Sequence, residues 1–478
     1  MNRIACGLGI LCAASATAQD KPNFVLMIAD DVSWDDIGCY GNNQVKTPNI
    51  DRIAGSGIRF TNFFLTASSS SPSRNSIITG RYPHNTGGAE LHLLPPDYMI
   101  SFPEILKQNG YYTAHAGKFH MGNYARRGFD IINENKLNGD GGEDLWIKCL
   151  QERAQGKPFL MWFAAHDAHR VWGPNKFSGT HDPQGLTPPW YLAQGVRTKE
   201  DLSKYYDEIA RFDNYVGLVY EELVRQNVID NTVIIIMADN GRPFPHSKTR
   251  VNDRGLNSPF IVYWPDGAGK KKQLCPALVS SVDIAPTILQ LAGLDSPVSI
   301  QGFSFAKLLG KPSRKFRNHV FAEHNWHDYE AHERMVRTRD YLYILNSRPQ
   351  FTQSGPADAV GSPSYAELDS LKKINGLTMQ QADIFTAPRP NEELYKNNTD
   401  PDQFDNLADN KSYKKKLFKL RSVLQEWMKE TGDNTPENLT HDWYLREPGY
   451  VKTPDMNIRG EPVDQKFNAT KNNNKGKF

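Results

Sequence analysis

Cysteine is scarce in this chain: five occur among 478 residues, and none forms a Cys-x-x-Cys pair. That excludes a zinc ribbon and a disulfide framework. No run approaches 18 uncharged apolar residues, so no membrane-spanning helix is expected. An excess of one charge is missing too, since 56 Lys+Arg against 54 Asp+Glu leaves a formal +2. Such a balance creates no global field that would gather nucleic acid. An anionic substrate would need a local site. Glycine (36) and proline (30) are ordinary in number, which excludes a collagen-like or proline-rich filament. With 39% hydrophobic and 23% charged residues, the composition is that of a folded protein of enzyme size.

The first residues read as an export signal. Met1-Asn2-Arg3 is a short basic region, Ile4 to Ala14 is apolar and small, and Ala16-Thr17-Ala18 fits the cleavage pattern. Residues 1–18 are therefore expected to be removed, leaving an exported chain, periplasmic or secreted. Cleavage would take away Cys6 and Cys12. Cys39, Cys149 and Cys275 would remain, and at most one bridge could form among them.

Three apolar runs end in polar, chemically able residues. Asn23 to Ala29 ends in Asp30-Asp31, Asn231 to Ala238 ends in Asp239-Asn240-Gly241, and Pro158 to Ala165 ends at His166. Continuous runs of this kind suit strands buried on both faces, as in a mostly parallel sheet covered by helices. In such sheets ligands bind beyond the carboxyl ends of the strands. Helical spacing is expected over Lys199 to Gln226 and Val282 to Ala292, and again over Ser412 to Thr431. After about residue 310 short strands appear, such as Tyr341 to Leu345, beside a Gly/Pro/Ser-rich stretch from Arg348 to Ser364. The expected division is a catalytic domain over 19–330 and a smaller C-terminal α+β subdomain over 331–478. The Asn- and Lys-rich tail from Asn468 is expected to fray.

Asp30, Asp31, Asp239 and Asn240 form an oxygen-only set. It suits Ca²⁺ or Mg²⁺ rather than zinc, although such pairs also serve as helix caps and turn residues. In Ser70-Ser71-Pro72-Ser73-Arg74, Pro72 can start a helix, which puts Ser70 just before a helix N-terminus, where anions are favoured. Arg74 adds a forked, permanent positive charge. The same run of serines could equally be a polar loop. His166 and His169 have a His-x-x-His spacing, but no third ligand accompanies them.

The segment Ser70 to Gly80 is similar to the signature C/S-x-P-S-R-x4-T-G of the sulfatase family, matching every fixed position. Gly117-Lys118-Phe119-His120-Met121-Gly122 resembles the family's GKWHLG motif. Glu393-Leu-Tyr395, Asp400-Pro401 and Asn406-Leu-Ala408 resemble its C-terminal ELYDL…DP…NLA segment, with Lys396-Asn397 in place of the usual DL. The resemblance spans about residues 22 to 430. It implies an alkaline-phosphatase-like fold: a large mixed sheet sandwiched by helices, plus a smaller C-terminal α+β subdomain.

The resemblance also implies a chemistry. Ser70 would be converted to formylglycine, whose hydrate attacks sulfur and then releases sulfate, a second step that plain serine cannot perform. Calcium, with magnesium the weaker alternative, would be held by Asp30, Asp31, Ser70, Asp239 and Asn240. Arg74, Lys118 and Lys248 would clamp the sulfate charge. His169 would protonate the leaving group, with His120 as its partner near the nucleophile. A serine at position 70 implies maturation by an anaerobic sulfatase-maturating enzyme, and hence an anaerobic bacterium. Arg242-Pro-Phe-Pro-His246-Ser-Lys248, the His166 to Arg170 stretch and Gly88 to His92 resemble the heparan N-sulfatase (sulfamidase) branch. His92, His324 and His327 are expected at the sugar subsite, against the alternative of ordinary surface residues. The expected function is removal of sulfate from a saccharide, N-sulfoglucosamine of heparin or heparan sulfate first. An O-sulfatase on another polysaccharide is the runner-up. A phosphodiesterase or phosphonate hydrolase and an inactive glycan-binding protein come after it. A homodimer is compatible with the sequence.

Overall fold

The computed structural model describes residues 21–134, 142–446, 451–454, 456, 458–461 and 468–478. The expected leader, residues 1–18, lies outside the described residues. Among the described residues, eight strands form the large sheet, in the order Ile131–Asn133, Tyr112–Gly117, Phe159–Ala164, Asn23–Ala29, Thr232–Ala238, Phe260–Tyr263, Ile58–Phe60, Gln273–Cys275. Phe260–Tyr263 runs antiparallel to both of its neighbours, and every other pairing is parallel, so the sheet is mixed.

The three apolar runs are the three central neighbours. Met27 pairs with Phe163 on one side and Ile236 on the other. Each run is buried on both faces because side chains alternate across a strand. Phe24, Leu26 and Ile28 join one apolar core, together with Leu160, Trp162, Val233 and Ile235. Val25, Met27 and Ala29 join the other, with Met161, Phe163, Ile234 and Ile236. The long helix Val196–Arg225 contributes Leu202, Tyr205, Ile209, Phe212 and Val216 to the second core, and the helix Ile284–Leu291 contributes Ile284 and Ile288 to the first. Two helical layers thus sandwich the sheet.

A second sheet of four antiparallel strands runs Val320–His324, Glu333–Arg337, Tyr341–Asn346, Glu392–Lys396. Its first strand lies ahead of the boundary expected at residue 331. The amphipathic helix Lys414–Thr431 covers it with Leu417, Leu420, Val423, Leu424 and Trp427, and Trp427 stacks on Phe321 at 4.9 Å between ring centroids. Asn406 closes the outer edge: its Oδ1 accepts from Leu394 N–H at 2.9 Å, and its Nδ2 donates to the Glu392 carbonyl at 3.1 Å. A side-chain amide there mimics a ladder partner for an edge strand.

The C-terminal tail departs from expectation. Arg81, 1% exposed, donates to the carbonyls of Thr470 at 3.0 Å and Asn472 at 2.8 Å and to Asn473 Oδ1 at 2.9 Å. Ala469 is fully buried, and the Phe478 ring packs 4.4 Å from that of Phe303. Composition pointed to fraying because it registers polarity but not a buried guanidinium that needs acceptors. Cys39, Cys149 and Cys275 are all free thiols. No described helix is long and apolar enough to cross a membrane.

Candidate active site

The helix Ser70–Thr79 is buried at all ten positions, with Ser69 as its extended N-cap. Ser70 is the first helical residue rather than the one before it. Its hydroxyl therefore sits where unpaired backbone N–H groups and the positive end of the helix dipole converge. The helix stops at Gly80, whose φ of +66° closes a left-handed cap. A Cβ there would lie 3.0 Å from both Ala285 Cβ and Ile300 Cγ2, so glycine is required sterically as well. Gly117 is more constrained. Its φ is +98°, and a Cβ would fall 1.9 Å from the Ala164 carbonyl oxygen. This close approach lets the chain turn off its strand and deliver Lys118, whose N–H donates to that same carbonyl at 2.9 Å.

The strand ends supply the acids. Asp30 N–H donates to the Asp167 carbonyl at 2.7 Å and Asp239 N–H to that of Ala29 at 3.1 Å, so the ladder fixes both residues. Asp30, Asp31 and Asp239 are 0% exposed, and one carboxylate oxygen from each lies within 4.8 Å of the others. Ser70 Oγ is 3.2 Å from Asp30 Oδ1 and 3.1 Å from Asn240 Oδ1. Asn240 Nδ2 donates to Asp31.

Three cations of the chain balance these charges. Arg74 Nε donates to Asp239 Oδ2 at 2.8 Å, and its Nη1 donates to the Lys118 carbonyl at 3.2 Å. Lys118 Nζ pairs with Asp30 and reaches Ser70 Oγ at 3.3 Å. Lys248 Nζ bridges Asp31 Oδ2 at 2.6 Å and Asp358 Oδ2 at 2.7 Å. Burial pushes Asp31 well above the ordinary carboxylate value, against the pull of Lys248, and raises Asp239 as well. Burial acts the same way on Asp30, but Lys118, His169 and Arg74 outweigh it and hold that carboxyl well below the ordinary value.

His169 turns its Nε2 toward Asp358 Oδ2 at 3.8 Å and Asp31 Oδ2 at 4.0 Å, while Nδ1 meets the Arg170 carbonyl. Desolvation, and then Lys248 and Lys118, lower its pKa to about 4. His120 stands elsewhere: its Nε2 is 3.0 Å from His92 Nδ1, and burial with Lys118 lowers its pKa to about 2. These two histidines line a cavity of about 200 Å³ with Ser71, Phe119 and Arg126. His327 lies against the N-cap, with Nδ1 2.8 Å from Ser69 Oγ. His324 is 4% exposed and faces Glu333, with Nδ1 3.4 Å from Oε2. Asp31, His92, His120 and Thr249 all have positive φ (60°, 67°, 45° and 72°), a clustering of backbone strain typical of functional sites.

Of the residues expected at the centre, Ser70, Arg74, Lys118, Lys248, Asp30, Asp31, Asp239, Asn240 and His169 converge, and His120 stands beside His92 in the adjoining cavity. Two contributors had no sequence signal. Ser69 and Asp358 lie in a serine run and in the Gly/Pro/Ser-rich stretch, where neither periodicity nor a motif marks them.

The sulfatase family model matches residues 22–141 and 143–294, and a model described as N-sulphoglucosamine sulphohydrolase, C-terminal, matches residues 246–346. The human N-sulphoglucosamine sulphohydrolase is 28% identical over 455 residues, covering 86% of this chain and 90% of that protein. An ulvan-active sulfatase of Formosa agariphila is also 28% identical, covering 89% of this chain and 78% of its own length. Among solved structures, a protein in complex with its substrate D-glucosamine-2-N,6-O-disulfate superposes with a TM-score of 0.65 at 22% identity, over 86% of this chain and 98% of its own. The sulfatase match extends over more than half of the chain and includes the strand-end acids, the serine at the helix start and both lysines; this chain belongs to the sulfatase family, whose members are sulfate ester hydrolases.

Proposed function

We propose that this protein is an exported sulfatase of saccharides with an N-sulfated glucosamine as its preferred substrate. The observation that carries the reading is the placement of Ser70 Oγ. It lies at a buried helix N-terminus within 3.3 Å of Asp30, Asn240 and Lys118, in a pocket built from acids and cations.

The donor set fits a hard divalent cation. Three fully buried carboxylates with oxygens within 4.8 Å repel one another, and burial already raises two of them. Asp30, Asp31, Asp239 and Asn240 would hold Ca²⁺, with Ser70 completing the oxygen set. Bound there, calcium supplies counter-charge to sulfate and acidifies the nucleophile. Formylglycine, made from Ser70 by an anaerobic maturating enzyme, supplies a nucleophile that regenerates after each turnover. The chain does the rest. Lys118 and Arg74 stand on either side of Asp30 and bind sulfate oxygens, Lys248 balances the growing charge at the bond that breaks, and His169 delivers a proton to the leaving atom through Nε2.

The N-sulfated substrate draws on the family model matched at 246–346 and on the human relative. The equally similar ulvan-active sulfatase favours a second reading, an O-sulfatase on another polysaccharide. Sulfate release from a panel of defined heparin, chondroitin and algal disaccharides separates the two. Release confined to O-sulfated members of the panel would overturn the N-sulfate reading.

A further inference from the structure

The Gly/Pro/Ser-rich stretch delivers a fourth carboxylate to this site. Ala357–Val360 forms one helical turn carrying Asp358. Asp358 Oδ1 accepts from the backbone N–H of Ala359 at 2.8 Å, which leaves Oδ2 to face Lys248 Nζ at 2.7 Å and His169 Nε2 at 3.8 Å. The turn is tied down on both sides. Ala357 N–H donates to Asp328 Oδ2 at 2.9 Å, and Tyr444 O–H donates to the Gly355 carbonyl at 2.5 Å. The Asp358 side chain is 17% exposed, whereas those of Asp30, Asp31 and Asp239 are 0% exposed. Asp358 therefore belongs to the wall of the site rather than its floor.

A carboxylate in a pocket for an anion demands a reason. Even paired with Lys248, it offers sulfate oxygens no donor, so a bound sulfate lies away from it. Asp31 and His327 lie near Asp358, and its closest partners are Lys248 and His169, the residues assigned to the bond that breaks. The two classes of leaving atom differ there. The bridging oxygen of a sulfate ester has lone pairs and no hydrogen, while the bridging nitrogen of a sulfamate carries an N–H that donates. A fixed carboxylate beside the leaving atom repels the first and accepts from the second.

We propose that Asp358 recognises the leaving nitrogen of an N-sulfated amino sugar and so selects sulfamates over sulfate esters. This deepens the function proposed above and rests on it. In the overall reaction the S–N bond breaks with its electron pair left on nitrogen. Water gives its oxygen to sulfur and both protons to nitrogen, one of them by way of His169. Sulfamate and water become sulfate and an ammonium, and the ammonium faces Asp358, so the same carboxylate also binds the product.

Asp358→Asn keeps the shape and the acceptor for Ala359 while removing the charge. With the maturase-modified, calcium-loaded full chain, kcat/KM is measured on N-sulfoglucosamine and on an aryl sulfate for the wild type and the variant. The ratio of the two should fall about 30-fold in the variant, the size of a hydrogen bond to a charged group. Equal losses on both substrates would overturn the inference and leave the function standing. Absence of wild-type turnover on N-sulfoglucosamine would instead sink the substrate reading itself. A measurement without any variant guards against misfolding: the wild type should bind glucosamine at least tenfold more tightly than N-acetylglucosamine. Equal binding of the two sugars would also overturn the inference.

Discussion

Ser70 Oγ lies 3.1 Å from Asn240 Oδ1, although 170 residues separate them in the chain. One residue opens a helix and the other follows the end of a strand, so this contact joins the two halves of the site. Removing the Asn240 oxygen should damage chemistry far more than folding. Asn240→Ala is expected to keep its melting temperature within a few degrees and to lose activity by a factor of 100 or more, because the cation and the nucleophile share that oxygen. Comparable activity in variant and wild type would place the metal elsewhere.

Four carboxylates, Asp30, Asp31, Asp239 and Asp358, share three cations, Arg74, Lys118 and Lys248, which leaves the fold open to stabilisation by a divalent ion. Calcium at about 100 times its dissociation constant should add about 2.7 kcal/mol, visible as a rise in Tm, and exhaustive chelation should abolish turnover. Activity that survives chelation would contradict the assignment of Asp30, Asp31, Asp239 and Asn240.

His169 tests the leaving-group chemistry. A histidine acid works only when protonated, and burial with Lys248 and Lys118 lowers this one to about 4. The kcat/KM of the enzyme should therefore fall as pH rises, with its descending limb below the ordinary histidine value near 6.5. His169→Ala should lose most of its activity on saccharides and much less on an aryl sulfate, whose phenolate needs no proton. Equal losses would mean that His169 binds sulfate.

Much of this arrangement could be read from sequence. The Asn23, Phe159 and Thr232 strands announced themselves as apolar runs because a strand buried on both faces has no polar face to show. Their polar ends fell at one edge of the sheet because parallel neighbours end together. Asp358 stayed hidden, since a single helical turn in a Gly/Pro/Ser-rich stretch has no periodicity and its meaning lies in Lys248 and His169. The surroundings of His324 were hidden for a related reason: an isolated histidine carries no mark of which strand face it takes, and Glu333 on the neighbouring strand pairs with it. The tail was docked by Arg81, a partner almost 400 residues away.

That docking can be tested. Deleting residues 468–478 removes three acceptors from the buried Arg81 guanidinium, which should cost about 3 kcal/mol or more and lower the Tm by several degrees. An unchanged Tm would show that the tail adds nothing to the fold.

Glu143 sets a pH dependence away from the site. Burial pushes its carboxyl up to about 7, against the opposing charge of Arg211, and the residue is 0% exposed. The folded state then binds more protons than the unfolded state between about 4.5 and 7, so stability should fall as pH rises through that window, by on the order of 3 kcal/mol at most. Glu143→Gln removes this one contribution and should make the Tm profile between pH 5 and 8 shallower, while Asp36, also pushed up to about 7 by burial, keeps its own. A profile as steep as that of the wild type would assign the dependence to other groups.

Hydrolysis of sulfated saccharides by a modified Ser70 is tested with two batches of the full chain, made with and without an anaerobic sulfatase-maturating enzyme. Each is analysed by mass spectrometry at Ser70 and by sulfate release from N-sulfoglucosamine. The matured batch should show the loss of two hydrogens at Ser70 and multiple turnovers, and the other batch neither. Multiple turnovers by chain carrying unmodified Ser70, or no sulfate released by chain carrying the modification, would contradict the account.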